Sequence, residues 1–371
     1  MRNGVAVVGI VLALALAAMP LDVDAVAAQE AATTVMGELN GPMGVFVTSD
    51  GSVWVIDTGV GGDEVLTIPN PGTGVVGDYG FGESSRILRL APDGEHTEVA
   101  RLPSLYLAPG DGAGGSRVAV LDGTVYATVG AYSVDPPPGM ASVVRIDDGR
   151  AIQLVNIWDF ESSNNPDGLL PGSNPYGLAV GPDGDLWMTD AAGNALYRID
   201  PATGETEVVA VFEGVPSPIP HADRGGVMET DPVPTGVTFD EEGNAYVSLL
   251  PGFPFAPGSS KVVKVTSDGV VTDYATDLTM LTDVRMAPDG HLYAVSIGLF
   301  TDQGPVPNSG AIIRLQEGTA SEAVVSDLLF PTSIDFNEAG DAFLTINGIG
   351  APGTGEVVKF EGLASGSSSR R

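Results

Sequence analysis

The chain has 371 residues and a formal net charge of −32, from 48 acidic and 16 basic side chains. This charge repels nucleic acid and anionic lipid, so both are poor candidates for partners. The lack of cysteine excludes disulfides and thiolate metal sites. The 50 glycines and 28 prolines lie between short apolar runs, a distribution that is typical of a chain with many tight turns.

The N-terminus has the pattern of a signal peptide. Arg2 precedes an apolar stretch over 5–19, and the small residues AVAA follow at 25–28. This order predicts a signal peptide over 1–28 that is cleaved after Ala27 or Ala28. An uncleaved anchor is the alternative, but the apolar stretch is short for a membrane-spanning helix. We therefore expect a secreted, periplasmic or extracellular protein with no stable membrane association after cleavage.

Six similar hairpins follow along the chain. Each has about four residues of strand, a turn that ends in Gly, and about five more residues of strand. They cover 44–57, 117–130, 177–190, 236–249, 283–296 and 333–346. Gly at the end of the turn supplies the positive φ that a tight hairpin requires. Six copies of one supersecondary unit predict a radial repeat fold.

Further strands complete each repeat. A third apolar-alternating run follows every hairpin, at 86–91, 142–147, 195–200, 261–266, 311–316 and 356–361. A fourth run follows in all units but the last, so the chain predicts an all-β, six-bladed β-propeller of four-stranded antiparallel blades over 29–363. We expect 32–39 to pair with 356–361 as the missing strand and to close the ring. The polar residues 364–371 predict a disordered tail.

The loops of such a repeat fold lie on two different faces. The PDG-type turns lie on one face and lack the alternating carboxylates and closing Glu of a calcium loop, so we interpret Asp183 and Asp289 as turn residues. The loops between blades, and those between second and third strands, lie on the opposite, top face. Long irregular loops such as 58–85 and 213–236 therefore predict a binding surface on the top face.

Polar side chains near the channel mouth are candidate ligands. Asp57 and Asp190 end second strands and Asn347 follows the equivalent strand of the last unit, so they are the candidate metal ligands, for calcium or magnesium. The candidate binding residues on the same face are Asn165, Asp167, Asn174, Tyr176, Asn194, Thr235, Phe253, Phe255 and Asp283. The alternative is that these Asn and Asp side chains cap turns and bond to loop backbone.

Two loop segments carry other side chains of interest. His221 lies in the longest loop between units and is the candidate catalytic base, although a surface-loop histidine can be incidental. Phe253 and Phe255 lie in the proline-braced segment GFPFAP. They either line a ligand pocket or fix the loop onto the blade.

Several segments resemble the ScyD/ScyE family of exported propellers, which is related to NHL-repeat propellers. They are NNPDG (164–168), SNPYGLAV (173–180), DAAGNALYRID (190–200), VPTGV (233–237), LPGFPFAPGSSKVVKV (250–265) and LLFPTSIDF (328–336). The resemblance implies an exported six-bladed propeller and leaves the activity open. Members often carry a cysteine pair in the long loop of the first blade, whereas 58–85 has none here.

A more distant resemblance is to gluconolactonase-like propellers, which hold a divalent cation in the channel with Glu, Asn and Asp ligands. The channel-mouth set here contains Asn and Asp but no Glu at the start of an innermost strand. In virginiamycin B lyase, another propeller relative, a His acts as the base, and here only His221 could fill that role.

Two functions remain open at this point. The first is a monomeric, NHL-like binding scaffold that holds a small molecule, glycan or protein on its top face. The alternative is a metal-assisted lactonase-like hydrolase or lyase at the channel mouth, with calcium or magnesium and with His221 as base. The sequence leaves open whether the protein is an enzyme.

Overall fold

The computed structural model describes residues 32–69, 76–131, 135–318 and 321–365. The predicted signal peptide and residues 366–371 of the predicted tail lie outside the described residues. Ala364, at the start of that tail, is buried, and its N–H donates to the Gly340 carbonyl at 2.9 Å. Within the described ranges, no helix is both long and apolar enough to cross a membrane.

The described strands form six sheets of four or more strands, which follow one another in chain order. The first sheet contains β2 (Pro42–Val47), β3 (Val53–Asp57), β4 (Glu64–Pro69), β5 (Val76–Leu90), β6 (His96–Ala108) and β7 (Asp111–Ala113). The second contains β8 (Gly115–Leu121), β9 (Thr124–Val129), β10 (Ser142–Asp147) and β11 (Arg150–Asn156). The third contains β12 (Pro175–Val180), β13 (Leu186–Asp190), β14 (Ala195–Ile199) and β15 (Thr206–Val211).

The remaining three sheets repeat this order. The fourth contains β18 (Pro234–Phe239), β19 (Ala245–Leu249), β20 (Ser260–Val265) and β21 (Val271–Leu278). The fifth contains β22 (Leu281–Met286), β23 (Leu292–Ser296), β26 (Gly310–Arg314) and β27 (Glu322–Leu328). The sixth contains β28 (Ser333–Phe336), β29 (Ala342–Ile346), β30 (Gly355–Phe360) and, from the other end of the chain, β1 (Ala32–Leu39).

The sheets pack in a propeller-like arrangement. Each innermost strand contacts the innermost strand of the next sheet, in the order β2, β8, β12, β18, β22, β28, and β28 contacts β2. The core consists of six apolar clusters, and each fills the space between two neighbouring sheets. Strands with both faces covered in this way, such as β13 and β23, are buried at every residue. The protein is therefore all-β with a layered, radial core.

The local rules that predicted the hairpins are confirmed. The turn of the third sheet is closed by Gly184 N–H, which donates to the Gly181 carbonyl at 3.0 Å, and Gly184 has φ +86°. The predicted pairing of 32–39 with 356–361 is also confirmed, because β1 pairs antiparallel with β30 from Ala32↔Phe360 to Leu39↔Gly355.

Some elements differ from the sequence prediction, which contained no helix. Helix α1 (Ile157–Asn164) follows β11, and the Asn156 side chain caps it by accepting the Asp159 N–H at 3.1 Å. Two small hairpins lie outside the sheets, namely β16 (Val215–His221) with β17 (Val227–Thr230) and β24 (Phe300–Thr301) with β25 (Gly304–Pro305). These elements lie in segments that the repeat pattern predicts as loops, except that the predicted fourth strand of the second unit, AIQLVNI (151–157), overlaps the helix by one residue, Ile157.

Candidate functional site

Arg117 fills the centre of the sheet arrangement. It lies within β8 and is 1% exposed. Its guanidinium donates to the backbone oxygens of Met43, of Ser116 at 3.0 Å, of Thr282 at 2.6 Å and of Thr332 at 3.1 Å. These acceptors come from the first, second, fifth and sixth sheets. One side chain thus ties innermost strands together, as five fixed N–H donors allow.

Two more side chains complete this channel hub. The Arg117 guanidinium carbon lies 4.6 Å from the ring centroid of Tyr176, and a terminal nitrogen lies 3.8 Å from Asp283 Oδ2. Asp283 Oδ2 also accepts from Ser333 Oγ at 2.6 Å. The whole Asp283 residue is 1% exposed. Thr235 is equally buried and donates to the Leu281 carbonyl at 3.0 Å. The sequence predicts that Asp283 and Thr235 bind a ligand. In the structure, both side chains form hydrogen bonds within the channel wall.

The channel does not fit a divalent cation. The positive charge beside Asp283 is already supplied by Arg117, and a second cation there would be repelled. In addition, no group of three His, Asp or Glu side chains that could hold an ion occurs among the residues the structure describes.

The three predicted metal ligands have local structural roles. Asp57 accepts the Asn40 N–H and three N–H groups of Arg86. Asp190 accepts from Ser173 Oγ and from the backbone of 174, 192 and 193. Asn347 donates to Thr354. Each side chain thus bonds within its own sheet or the adjoining loop, and the joint metal site at Asp57, Asp190 and Asn347 remains a prediction.

A small cavity of about 110 Å³ lies at the channel mouth, above the hub. Its lining includes Asn174, Tyr176, Met43, Thr58 and Tyr106. Asn174 Oδ1 accepts the Ala131 N–H at 3.2 Å, which fixes its side-chain amide at the rim. The predicted binding residues Asn174 and Tyr176 therefore border one cavity.

A larger groove of about 700 Å³ lies over the third and fourth sheets and shares Asn174 with the cavity. Phe253 and Phe255 form part of its wall, with ring centroids 6.0 Å apart, and Phe255 also packs against Phe300 at 4.9 Å. Phe253 is 60% exposed, so the loop presents an aromatic surface to the groove instead of burying it. A groove with mostly apolar walls and a few polar groups suits a small organic ligand.

His221 lies on the same groove, at the end of β16. Its Nε2 is 3.5 Å from Asp231 Oδ2, and the other oxygen of Asp231 accepts from Arg224 Nε at 2.8 Å. His221 Nδ1 is buried without a hydrogen-bond partner. An imidazole held by a carboxylate on one nitrogen and free on the other can take up and return a proton.

The last three predicted binding residues lie elsewhere, beside helix α1. Asn194 Nδ2 donates to Asp167 Oδ2 at 2.8 Å, and Asn165 Nδ2 donates to the Leu169 carbonyl at 2.8 Å. They surround Glu161, which is 0% exposed and accepts from Tyr197 Oη at 3.0 Å. Burial, with the negative charges of Asp190 and Asp167, raises the pKa of Glu161 to about 7. We call Glu161, Asn165, Asp167 and Asn194 the α1 cluster.

Sequence reasoning did not single out Arg117, Glu161 or Asp231. Arg117 carries a detectable signal, because a basic residue inside an apolar innermost strand is unusual in a chain with 16 basic residues. Glu161 and Asp231 carry none, since their partners are set by a helix and a hairpin that the repeat pattern does not predict.

Part of the chain matches the model of a known protein family. Residues 177–354, a little under half of the chain, match the family model described as SMP-30/Gluconolactonase/LRE-like region. A gluconolactonase of Zymomonas mobilis subsp. mobilis is 27% identical over 175 residues, which are 46% of this chain and 40% of that protein. The matched segment thus spans less than half the length of that relative.

Solved structures share the fold at low identity. A gluconolactonase structure from Xanthomonas campestris aligns with TM-score 0.54 and 14% identity over 89% of each chain. The PQQ-bound aldose sugar dehydrogenase of Streptomyces coelicolor aligns with TM-score 0.50 and 15% identity over 89% of this chain and 96% of that one. Because these two differ in chemistry, the shared fold by itself does not fix an activity.

Proposed function

We propose that the protein is a lactonase-type hydrolase of small cyclic esters that acts in the groove over the third and fourth sheets. The observation that carries this proposal is the pair of His221 and Asp231 on the wall of a groove lined by Phe253 and Phe255. The family match supports it, since residues 177–354 include both elements. The similarity to gluconolactonases favours this function over a binding scaffold without activity.

In the proposed reaction, the His221 ring turns its free Nδ1, which is buried in the resting structure, toward the groove. There it removes a proton from a water molecule as the water oxygen attacks the ester carbonyl carbon. Asp231 stabilises the protonated imidazole that results. The ring C–O bond then breaks, and His221 returns the proton to the leaving alcohol oxygen. The product is a hydroxycarboxylate, and the strongly negative protein repels this anion and favours its release.

The proposed step uses no metal ion. Gluconolactonase-like relatives imply calcium or magnesium in the channel, but Arg117 lies there with Asp283. The groove residues His221 and Asp231 can handle the proton without an ion.

A panel of five- and six-membered lactones tests the proposal, with acid release as the readout. We expect His221→Ala to lower kcat/KM by about 10²–10⁴-fold, as removal of a general base does. His291→Ala is the matched control, because His291 is exposed in a turn beside Asp289 and should leave the rate unchanged. Equal hydrolysis by the His221→Ala variant would contradict the proposed role.

The second candidate is the binding scaffold, which the exposed Phe253 favours because an aromatic surface also suits a ligand that is held and not converted. Saturable lactone or glycan binding without turnover above the buffer rate would support it. A Phe253→Ala variant should weaken binding under either function, whereas only the hydrolase loses turnover in His221→Ala.

Ring closure and family membership are further proposals for this protein. We propose a closed, six-bladed propeller, supported by the contact between β28 and β2 and by the pairing of β1 with β30. We also propose that the chain is a full member of the gluconolactonase-like family. The ScyD/ScyE resemblance, export by a signal peptide and a monomeric state remain predictions.

A further inference from the structure

The α1 cluster contains three buried acceptor atoms that have no hydrogen-bond partner. They are Glu161 Oε1, Asn165 Oδ1 and Asn194 Oδ1. Glu161 and Asn194 are 0% and 1% exposed, so water does not reach these side chains from bulk solvent. Leaving a buried polar atom unpaired costs free energy, and three in one place require an explanation.

The orientation of the two amides is fixed by their other hydrogen bonds. Asn194 Nδ2 points to the carboxylate of Asp167, and Asn165 Nδ2 points to the Leu169 carbonyl. Turning either amide over would place its oxygen against another acceptor. The two unpartnered amide atoms are therefore oxygens that accept and cannot donate, and Glu161 Oε1 is likewise only an acceptor when the carboxyl group is charged.

A continuous chain of contacts keeps these oxygens in one region. The Asn165 N–H donates to the Glu161 carbonyl at 2.7 Å, and Asp167 joins the same loop to Asn194. Gly193, next to Asn194, packs against Glu161, since a Cβ added there would lie 3.2 Å from Glu161 Oε2 and 3.1 Å from Asp190 Cγ. The carboxyl groups of Glu161 and Asp190 thus both lie against the side of Gly193 on which a Cβ would stand.

The cluster has negative charge and no positive partner. Among the described residues, no ion pair joins Glu161, Asp167 or Asp190 to a basic side chain. Asp190 accepts from four N–H and O–H donors and each oxygen of Asp167 accepts one N–H, so the carboxylate oxygen without a partner is Glu161 Oε1. The Glu161 carboxylate and the two amide oxygens form a donor set for a hard divalent cation. Irregular loop ligands suit calcium better than magnesium, which demands a near-ideal octahedron.

We propose that the α1 cluster is a structural calcium site that joins helix α1 to the β13–β14 loop, with Glu161, Asn165 and Asn194 as ligands. Asp167 lies beside them and adds charge. This site is independent of the proposed lactonase activity, since none of its residues lines the groove that holds His221. It also gives a role to the NNPDG and DAAGN segments of the sequence.

The test is calcium titration of chelator-treated protein, followed by melting temperature and by terbium luminescence. Tyr197 donates to Glu161 at 3.0 Å, so a terbium ion in the site would be sensitised through this ring. We expect calcium to raise the melting temperature of the wild type and to displace terbium emission. Glu161→Gln and Asn165→Ala should each weaken calcium binding at least tenfold.

The acidic surface requires a control for non-specific binding. Glu241→Gln removes an exposed carboxylate from a turn of the fourth sheet and should leave the calcium response unchanged. Asn165→Ala, whose side chain is less buried, decides the question if Glu161→Gln does not fold. The proposal fails if calcium changes neither readout in the wild type, if both variants bind it as tightly, or if magnesium binds equally well.

Discussion

The channel hub and the α1 cluster are two buried polar networks with opposite imbalances. In the hub, Arg117 supplies donors to several carbonyls, and the atom left over is a donor, Nε, in a guanidinium that lies over the Tyr176 ring. In the α1 cluster, the atoms left over are acceptors. In the hub, the positive charge is the side chain of Arg117, whereas no basic side chain forms an ion pair with the described residues of the α1 cluster. A buried network can therefore be completed by a side chain or by a group taken from solution.

The largest effect should come from removing the hub cation. Arg117→Met leaves Asp283 as a buried charge without its partner and leaves carbonyls of several sheets without a donor. We expect a loss of about 3–5 kcal/mol in the free energy of unfolding, measured by urea titration. Arg145→Met is the control, since Arg145 is 38% exposed and 3.9 Å from its partner. A loss as small as that of the control would show that the hub is dispensable.

A smaller effect should come from Asp240 in the turn of the fourth sheet. Burial acts to raise its pKa, but hydrogen bonds from Asn244, Tyr246 and Lys264 outweigh burial and hold the pKa of Asp240 below 3.8. Its charged form therefore stabilises the fold above about pH 3.8, and this contribution is lost as the pH falls through the folded pKa. We expect Asp240→Asn to cost about 1.5–3 kcal/mol at pH 7.

The pH dependence distinguishes this explanation from simple loss of packing. The gap in melting temperature between wild type and Asp240→Asn should narrow below about pH 3.8, where the wild-type carboxylate also becomes protonated. A gap that stays constant down to pH 2.5 would contradict the assignment of the stabilisation to charge.

The smallest effect has the opposite sign and concerns the α1 cluster without metal. In Glu161→Gln, the new amide oxygen can keep the bond from Tyr197, and the new NH₂ supplies a donor to a cluster whose unpaired atoms are acceptors. We expect the free energy of unfolding in chelator to rise by about 1 kcal/mol, the net value of one buried hydrogen bond. Destabilisation of this variant in chelator would indicate that the acceptors are already satisfied by water.

The sequence predicted the repeat well because the repeat is local. In 177–190, alternating apolar residues and a Gly with positive φ specify one hairpin, and five more copies remove the ambiguity of a single one. Helix α1 was not predicted because the apolar and β-branched run AIQLVNI (151–157) indicates a strand as far as Ile157. The helix begins there because Asn156 caps it and because the Ile157 N–H reaches the Ala141 carbonyl at 2.8 Å.

The candidate sites depend on contacts that no local pattern contains. Asp57 and Asp190 were correctly placed at strand ends, but the sequence could not show that Arg86 of β5 and the Asn174 N–H donate to them. Thr235 and Asp283 start innermost strands, and the sequence could not show that Arg117, from a distant strand, fills the space before them. Phe253 and Phe255 differ, because a proline-braced aromatic loop has a recognisable composition, and both do line the groove.

The pairing of β1 with β30 has a consequence for how the molecule is made. Thr34 and Glu356, which share a hydrogen bond across these strands, are 322 residues apart in the chain. During synthesis β1 appears before β30 and must remain unpaired until the 322 residues that separate this pair have been translated. The sixth sheet is therefore the last to be completed, and a chain interrupted before β30 would keep an open strand edge at both of its ends.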